Sequence, residues 1–93
     1  MKVYISGAMA MRPKTYREIF NKTAKTFEKY GHTVLNPAVL PKGLDPDRYM
    51  PICLSMVDAA DMVFMLSGWE LSKGARLEYA YADYQGKQIM YEK

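Results

Sequence analysis

An α/β fold built on a parallel sheet is what the sequence predicts, and three observations predict it. Short runs rich in β-formers alternate with longer segments whose apolar residues recur every three or four positions. One short run, Asp61-Met62-Val63-Phe64-Met65-Leu66, is apolar nearly throughout, as a strand covered on both faces must be. Glycines follow the helical segments, where a left-handed residue commonly ends a helix.

The elements follow in order. Lys2–Ser6 is strand-like, because Val3, Tyr4 and Ile5 favour the pleated conformation and Gly7 stops the run. A small-residue loop, Gly7–Ala10, leads through Met11-Arg12-Pro13 to a change of period at Thr15. Tyr16, Ile19, Phe20, Thr23, Ala24, Phe27 and Tyr30 share one face of the first helix, which Gly31 terminates. Thr33-Val34-Leu35 is a second strand. The stretch from Asn36 to Asp47 holds Pro37, Pro41, Gly43 and Pro46 and is expected to be a long loop, the kind that often serves as a lid. A second helix runs through Ile52, Met56, Ala59 and Ala60, with Pro51 either at its first position or kinking it one turn in. The third strand spans Asp61–Leu66, and Ser67-Gly68-Trp69-Glu70 leaves it. Ser72 caps a third helix reaching about Gln85, closed by Gly86, and Lys87–Tyr91 is the last strand. The sum is β-α-β-α-β-α-β over residues 1–93 as one domain. It implies a minimal flavodoxin- or Rossmann-like three-layer sandwich, with a four-stranded parallel sheet ordered 2-1-3-4 and helices on both faces.

Composition narrows the function classes. At 93 residues the chain has room for one core, and a large self-contained cavity would compete with it. Hydrophobic residues at 49% and charged residues at 25% are ordinary globular values. No apolar run approaches the roughly 18–20 residues of a membrane span, and the N-terminus reads as a strand rather than a signal peptide. One cysteine, Cys53, cannot close an internal disulfide, and one histidine, His32, cannot build a His-rich metal site. A reduced, cytoplasmic protein without metal or cofactor is expected. The net charge of +3 is spread from Lys2 to Lys93 among the acidic residues, so nucleic acid is not the expected partner. Eight tyrosines and eight methionines exceed what so small a core needs, which places some of them at a ligand site or a subunit interface.

Open parallel sheets bind ligands beyond the carboxyl ends of their strands. Two loops leave strand ends with suggestive chemistry: Ser6-Gly7-Ala8-Met9 after the first strand, and Ser67 to Glu78 after the third. In the second, Ser72, Lys73, Gly74 and Ala75 open a helix whose free N–H groups suit an anion, a phosphate above all. Glu78 lies one turn after Gly74. Because helical side chains lean toward the N-terminus, its carboxylate falls over the space that Gly74 leaves open. Trp69 is placed in the connecting loop, where it would touch a ligand or an interface. The same residues also fit blander roles. Glu78 would serve as a surface ion-pair partner worth about 0–1 kcal/mol, and Ser72 as an ordinary cap worth about 1 kcal/mol. Gly74 would permit close packing, Gly7-Ala8 would be a plain turn, and Trp69 a core aromatic. Dinucleotide and Walker-type glycine motifs are missing, and a lone His and Cys do not make an acyl-transfer site. Asp58 and Asp61 fit helix-capping or loop roles better than chelation.

Val3-Tyr4-Ile5-Ser6-Gly7, the strand Asp61–Leu66 and the pattern Ser72-x-Gly74-x-x-x-Glu78-x-x-x-Ala82 together resemble the nucleoside 2-deoxyribosyltransferase family. That group includes the deoxynucleoside 5′-monophosphate N-glycosidases, and the stretch from Gly68 to Glu78 resembles a small bacterial and phage branch of it. The resemblance implies that Glu78 is a nucleophile toward the anomeric carbon of a (deoxy)ribosyl group, with Tyr4 beside it. It implies that Gly7, Ala8, Met9, Trp69, Ser72 and Gly74 bind a nucleoside or its 5′-monophosphate, Ser72 at the phosphate. It also implies a homodimer or larger homo-oligomer whose neighbour completes the pocket. A carboxylate beneath the anomeric carbon suits an oxocarbenium-like transition state, which it stabilises or traps. The sequence departs from the family at two places. Ala8 and Ala10 stand where the monophosphate glycosidases carry serine and arginine, with Arg12 the cation nearest by. Cys53 stands eight residues before Asp61, where the family has an aspartate serving the base or sugar. A non-catalytic nucleotide-binding or protein-interaction module that keeps the fold is the alternative. Glu78 separates the two, since a nucleophile is needed for turnover and a structural glutamate for stability.

Overall fold

In the computed structural model, which describes residues 1–9 and 11–93, four strands alternate with three helices. They are β1 (Lys2–Ser6), α1 (Tyr16–Lys29), β2 (Thr33–Leu35), α2 (Pro46–Ala59), β3 (Met62–Met65), α3 (Lys73–Tyr84) and β4 (Gln88–Tyr91). Ala10, in the expected small-residue loop, lies outside the described residues. All three strand pairings are parallel and the order is β2-β1-β3-β4, as expected. The chain leaves β1 toward β2 on one side and crosses to β3 on the other, so the switch point of the sheet lies between the carboxyl ends of β1 and β3.

Alternation along the strands sorts side chains into two cores. Ile5 and Leu66 pack with Phe20 and Ala24 of α1 on one face. On the other, Tyr4, Val63 and Met65 pack with Cys53 and Val57 of α2 and with Ala75 and Ala82 of α3. Helices therefore cover both faces, which is why β3 is apolar throughout.

Both helix-ending glycines do what their positions predict. Gly31 and Gly86 take φ of 89° and 73°, a region open to glycine without steric cost. The N–H of His32 bonds the Phe27 carbonyl while that of Gly31 bonds Glu28, and Lys87 and Gly86 repeat the pattern on Ala82 and Asp83. These are paired Schellman closures, and the first carries an edge-on contact of the Phe27 and His32 rings at 5.9 Å.

Two expectations need correction. The Asn36–Asp47 loop is shorter than its prolines implied. Pro37–Val39 forms a 3-10 turn, capped by the Asn36 side chain on the Ala38 N–H, and Pro46 already opens α2. Proline is at home at a first helical position, where its missing N–H had no helical partner. Of the two places open to Pro51, the structure takes the second, inside α2 just past its first turn. Tyr30, expected on the buried face of α1, is 74% exposed, because the helix stops at Lys29 and the chain turns away before the face closes over it. No helix among the described residues is long and apolar enough to cross a membrane.

Candidate functional site

The site grows from parity on β1. Tyr4 and Ser6 are two residues apart, so both point to the face that α2 and α3 cover. Glu78 sits in the second turn of α3 and leans back toward its N-terminus, which brings the carboxylate onto the end of β1. Tyr4 donates its hydroxyl hydrogen to Glu78 Oε2 at 3.0 Å, and Ser6 donates to Oε1 at 2.6 Å. All three are buried, with Glu78 only 6% exposed.

A carboxyl group so enclosed titrates abnormally. Burial disfavours its charge and pushes Glu78 up to about 7, against a pull downward from the Ser6, Tyr4 and Cys53 donors. The Tyr4 phenol is raised well above its ordinary range, first by burial and then by the Glu78 charge. Burial likewise lifts the Cys53 thiol to about 11, so near neutral pH it is a thiol and not a thiolate.

Glu78 faces a cleft of about 300 Å³ at the switch point. Such a volume lies at the small end of ligand pockets. Gly7 and Met9 line it from the β1 loop; Ser72, Gly74 and Ala75 from the start of α3; and Tyr49, Met50 and Cys53 from α2. Tyr16, Pro37 and Leu40 close the opposite side. The cleft is thus polar at the α3 end and lined largely by apolar and aromatic side chains elsewhere. The glycines there have different reasons. A methyl group on Gly74 would meet the end of the Met50 side chain at 3.0 Å and Ser72 Oγ at an ordinary 3.9 Å, whereas one on Gly7 would lie 2.9 Å from Leu66 Cδ1 and 3.3 Å from Phe20 Cζ. Gly74 opens the cleft; Gly7 lets the chain pass the core.

Of the residues singled out from sequence, Glu78, Gly7, Met9, Ser72 and Gly74 meet at this cleft, and Tyr4 stands behind Glu78. Ser72 also caps α3, its hydroxyl oxygen accepting the Ala75 N–H at 3.1 Å. Ala8 and Trp69 are placed elsewhere. Ala8 borders a small neighbouring hollow with Arg12, Ser67 and Glu92. Trp69 stacks on Tyr79 at 4.8 Å, with Tyr91 at 6.2 Å, and is partly buried against the core under α2 and α3. Asp58 and Asp61 have structural partners. Asp58 accepts from the Gln85 side chain at 2.8 Å, and Asp61 from the Lys2 N–H at 2.8 Å.

Sequence reasoning missed Ser6 as a site residue, although its signal was present. Any strand that presents Tyr4 to a site presents Ser6 to the same face. Tyr16, Leu40, Tyr49 and Met50 carried no such signal, because they reach the cleft from segments far apart in the chain.

Three comparisons bear on this geometry. The family described as "Domain of unknown function (DUF4406)" matches residues 1–91. No curated protein matches. The structure is similar to a 2-desoxiribosyltransferase from Leishmania mexicana, with TM-score 0.76 and 19% identity over 97% of this chain and 62% of that one. It is similar also to the CMP N-glycosidase BcmB from Clostridium botulinum, with TM-score 0.71 and 20% identity over 98% of this chain and 70% of that one. The fold is therefore shared with these proteins, as the resemblance implied, and the chain spans less than two thirds of the Leishmania protein.

Proposed function

The chain belongs to the DUF4406 family, and from that premise we propose that its cleft binds a nucleoside or nucleotide and cleaves or transfers the N-glycosidic bond, with Glu78 as nucleophile. One observation carries the reading. A buried carboxylate, gripped on both oxygens by Tyr4 and Ser6, faces a ligand-sized cleft at the switch point of the sheet. A structural glutamate on a helix surface has no need of either burial or two hydroxyl donors, and its burial costs stability. The two solved proteins of similar fold, a deoxyribosyltransferase and an N-glycosidase by name, support the same chemistry.

The step follows from the geometry. An ionised carboxylate offers about four acceptor positions, so two hydrogen bonds orient Glu78 and leave a lone pair for the anomeric carbon. As the new C–O bond forms, the C–N pair departs with the base. Water or a second base then releases the sugar. The open space beside Gly74 receives the sugar, and the apolar and aromatic wall of Pro37, Leu40 and Tyr49 receives the base. Ser72 and the first N–H groups of α3 meet the 5′ end.

Base release from nucleosides and their 5′-monophosphates, followed with and without an acceptor base, tests the reading. Wild-type protein should release or exchange base, and Glu78→Gln should lose roughly 10³-fold or more while remaining folded. A folded wild type that binds these ligands without releasing base would leave only the binding module.

A further inference from the structure

The bond broken in the proposed reaction leaves its electron pair on the departing base, and none of the groups assigned so far meets that charge. The Tyr4 and Ser6 hydroxyls are spent on Glu78, and Cys53 holds its proton tightly. Two phenols line the apolar part of the cleft, Tyr16 and Tyr49. The proton of Tyr49 is committed, because its hydroxyl donates to the Pro41 carbonyl. Tyr16 is in the opposite condition. Its oxygen accepts the Nε–H of Arg17 at 3.0 Å, so its own hydrogen must point away from that guanidinium. Among the described residues no acceptor takes it, and Tyr16 borders both the cleft and the small hollow beside it. Arg17 is itself held in place. Its Nη2 donates to the Leu40 carbonyl at 2.7 Å, and its guanidinium lies 5.7 Å from the centre of the Tyr16 ring. One cation therefore fixes Tyr16 together with Leu40, a member of the wall that would receive the base.

We propose that Tyr16 is a catalytic residue whose hydroxyl donates a hydrogen bond to the departing base, and that Arg17 is the positioning residue that aims it. The role rests on the glycosidic-bond reading above. As Glu78 bonds to the anomeric carbon, the C–N pair moves onto the base, where a ring nitrogen or carbonyl oxygen draws on the Tyr16 O–H. Tyr16 keeps its proton, and the base takes the one it needs from water. Arg17 fills the second face of the phenol oxygen, so Tyr16 can act only as a donor toward the ligand.

The test compares Tyr16→Phe and Arg17→Lys with wild type across nucleosides graded by the acidity of the departing base. The series runs from the natural bases to a fluorinated pyrimidine and to a purine methylated to a cation. Phe keeps the ring and its edge-on contact with Phe20 at 6.3 Å, so the variant should fold. Tyr16→Phe should release natural bases about 10- to 100-fold more slowly, with the deficit shrinking to about threefold or less for the best leaving bases. Arg17→Lys should move the same way by a smaller factor. A Tyr16→Phe rate equal to wild type, or a loss of one size across the series, overturns the proposal; the latter marks a packing defect. If wild type releases no base from any substrate, the glycosidic reading itself fails and takes this role with it, an outcome visible without the variants.

Discussion

Glu78 is held in a costly state, and that cost is measurable. A carboxyl raised from 4.5 to about 7 on folding favours the folded state in its protonated form. This contribution is fully present below pH 4.5 and is lost as pH rises through about 7. It amounts to a penalty on the order of 3 kcal/mol at higher pH. Glu78→Gln, which cannot ionise, should therefore unfold at higher denaturant than wild type at pH 8, with the gap closing near pH 5. A gap that does not depend on pH would contradict the raised titration. Activity has the opposite slope, because the nucleophile must be ionised. kcat/KM should climb through about pH 7 and level off above it, and a flat profile would remove Glu78 from the attacking role.

At the scale of elements, the two glycines of the cleft make a contrast that separates folding from binding. Gly7 is where the chain passes the core after β1, against Leu66 and Phe20. Gly7→Ala forces backbone or core to move and should cost about 1–3 kcal/mol in chemical denaturation. A methyl group on Gly74 at the start of α3 would crowd the flexible end of Met50 and touch Ser72 Oγ at ordinary contact distance. Gly74→Ala should leave stability within about 0.5 kcal/mol and instead raise KM, because its methyl group enters the cleft beside Glu78. Equal losses of stability in both variants would refute this division. The second wall depends on helix ends more than on loops. Arg17 from α1 and Tyr49 from α2 grip the neighbouring carbonyls of Leu40 and Pro41, so the proline-rich connection is tied down from both sides.

Over the whole molecule, the apolar surface is uneven. Of the nine large apolar side chains more than 40% exposed among the described residues, five, Leu71, Leu77, Tyr84, Met90 and Tyr91, belong to α3, β4 and the turn before α3, and the others are Met1, Met11, Tyr30 and Val39. The group of five is where the homo-oligomer implied by the family resemblance would find its interface. Light scattering at micromolar concentration should return at least twice the 10.7 kDa of one chain, and a monomer mass throughout the range would refute it. The architecture was legible because each of its signals is local. β1 and β2 have the bounds read from Val3-Tyr4-Ile5 and Thr33-Val34-Leu35, and α1 and α3 end where Gly31 and Gly86 release the backbone. Pro51 left two readings open because proline at a helix start and proline inside a helix look alike until Pro46 is seen to occupy the start.

Period and punctuation, which are properties of neighbouring residues, determined on their own the alternation of strand and helix and the parallel sheet, and they put Glu78 one turn after Gly74 in the helix that follows a strand end. Tertiary structure alone decided that Glu78 is buried against Tyr4 and Ser6, with 72 to 74 positions of chain between the partners. It also decided that Ala8 and Trp69 turn away from the cleft, and that Tyr16 and Tyr49 border it with their hydroxyls in opposite states. Local backbone preference sets which element forms. The surroundings of a side chain, and with them its charge and its chemistry, are set by segments that meet only when the sheet closes.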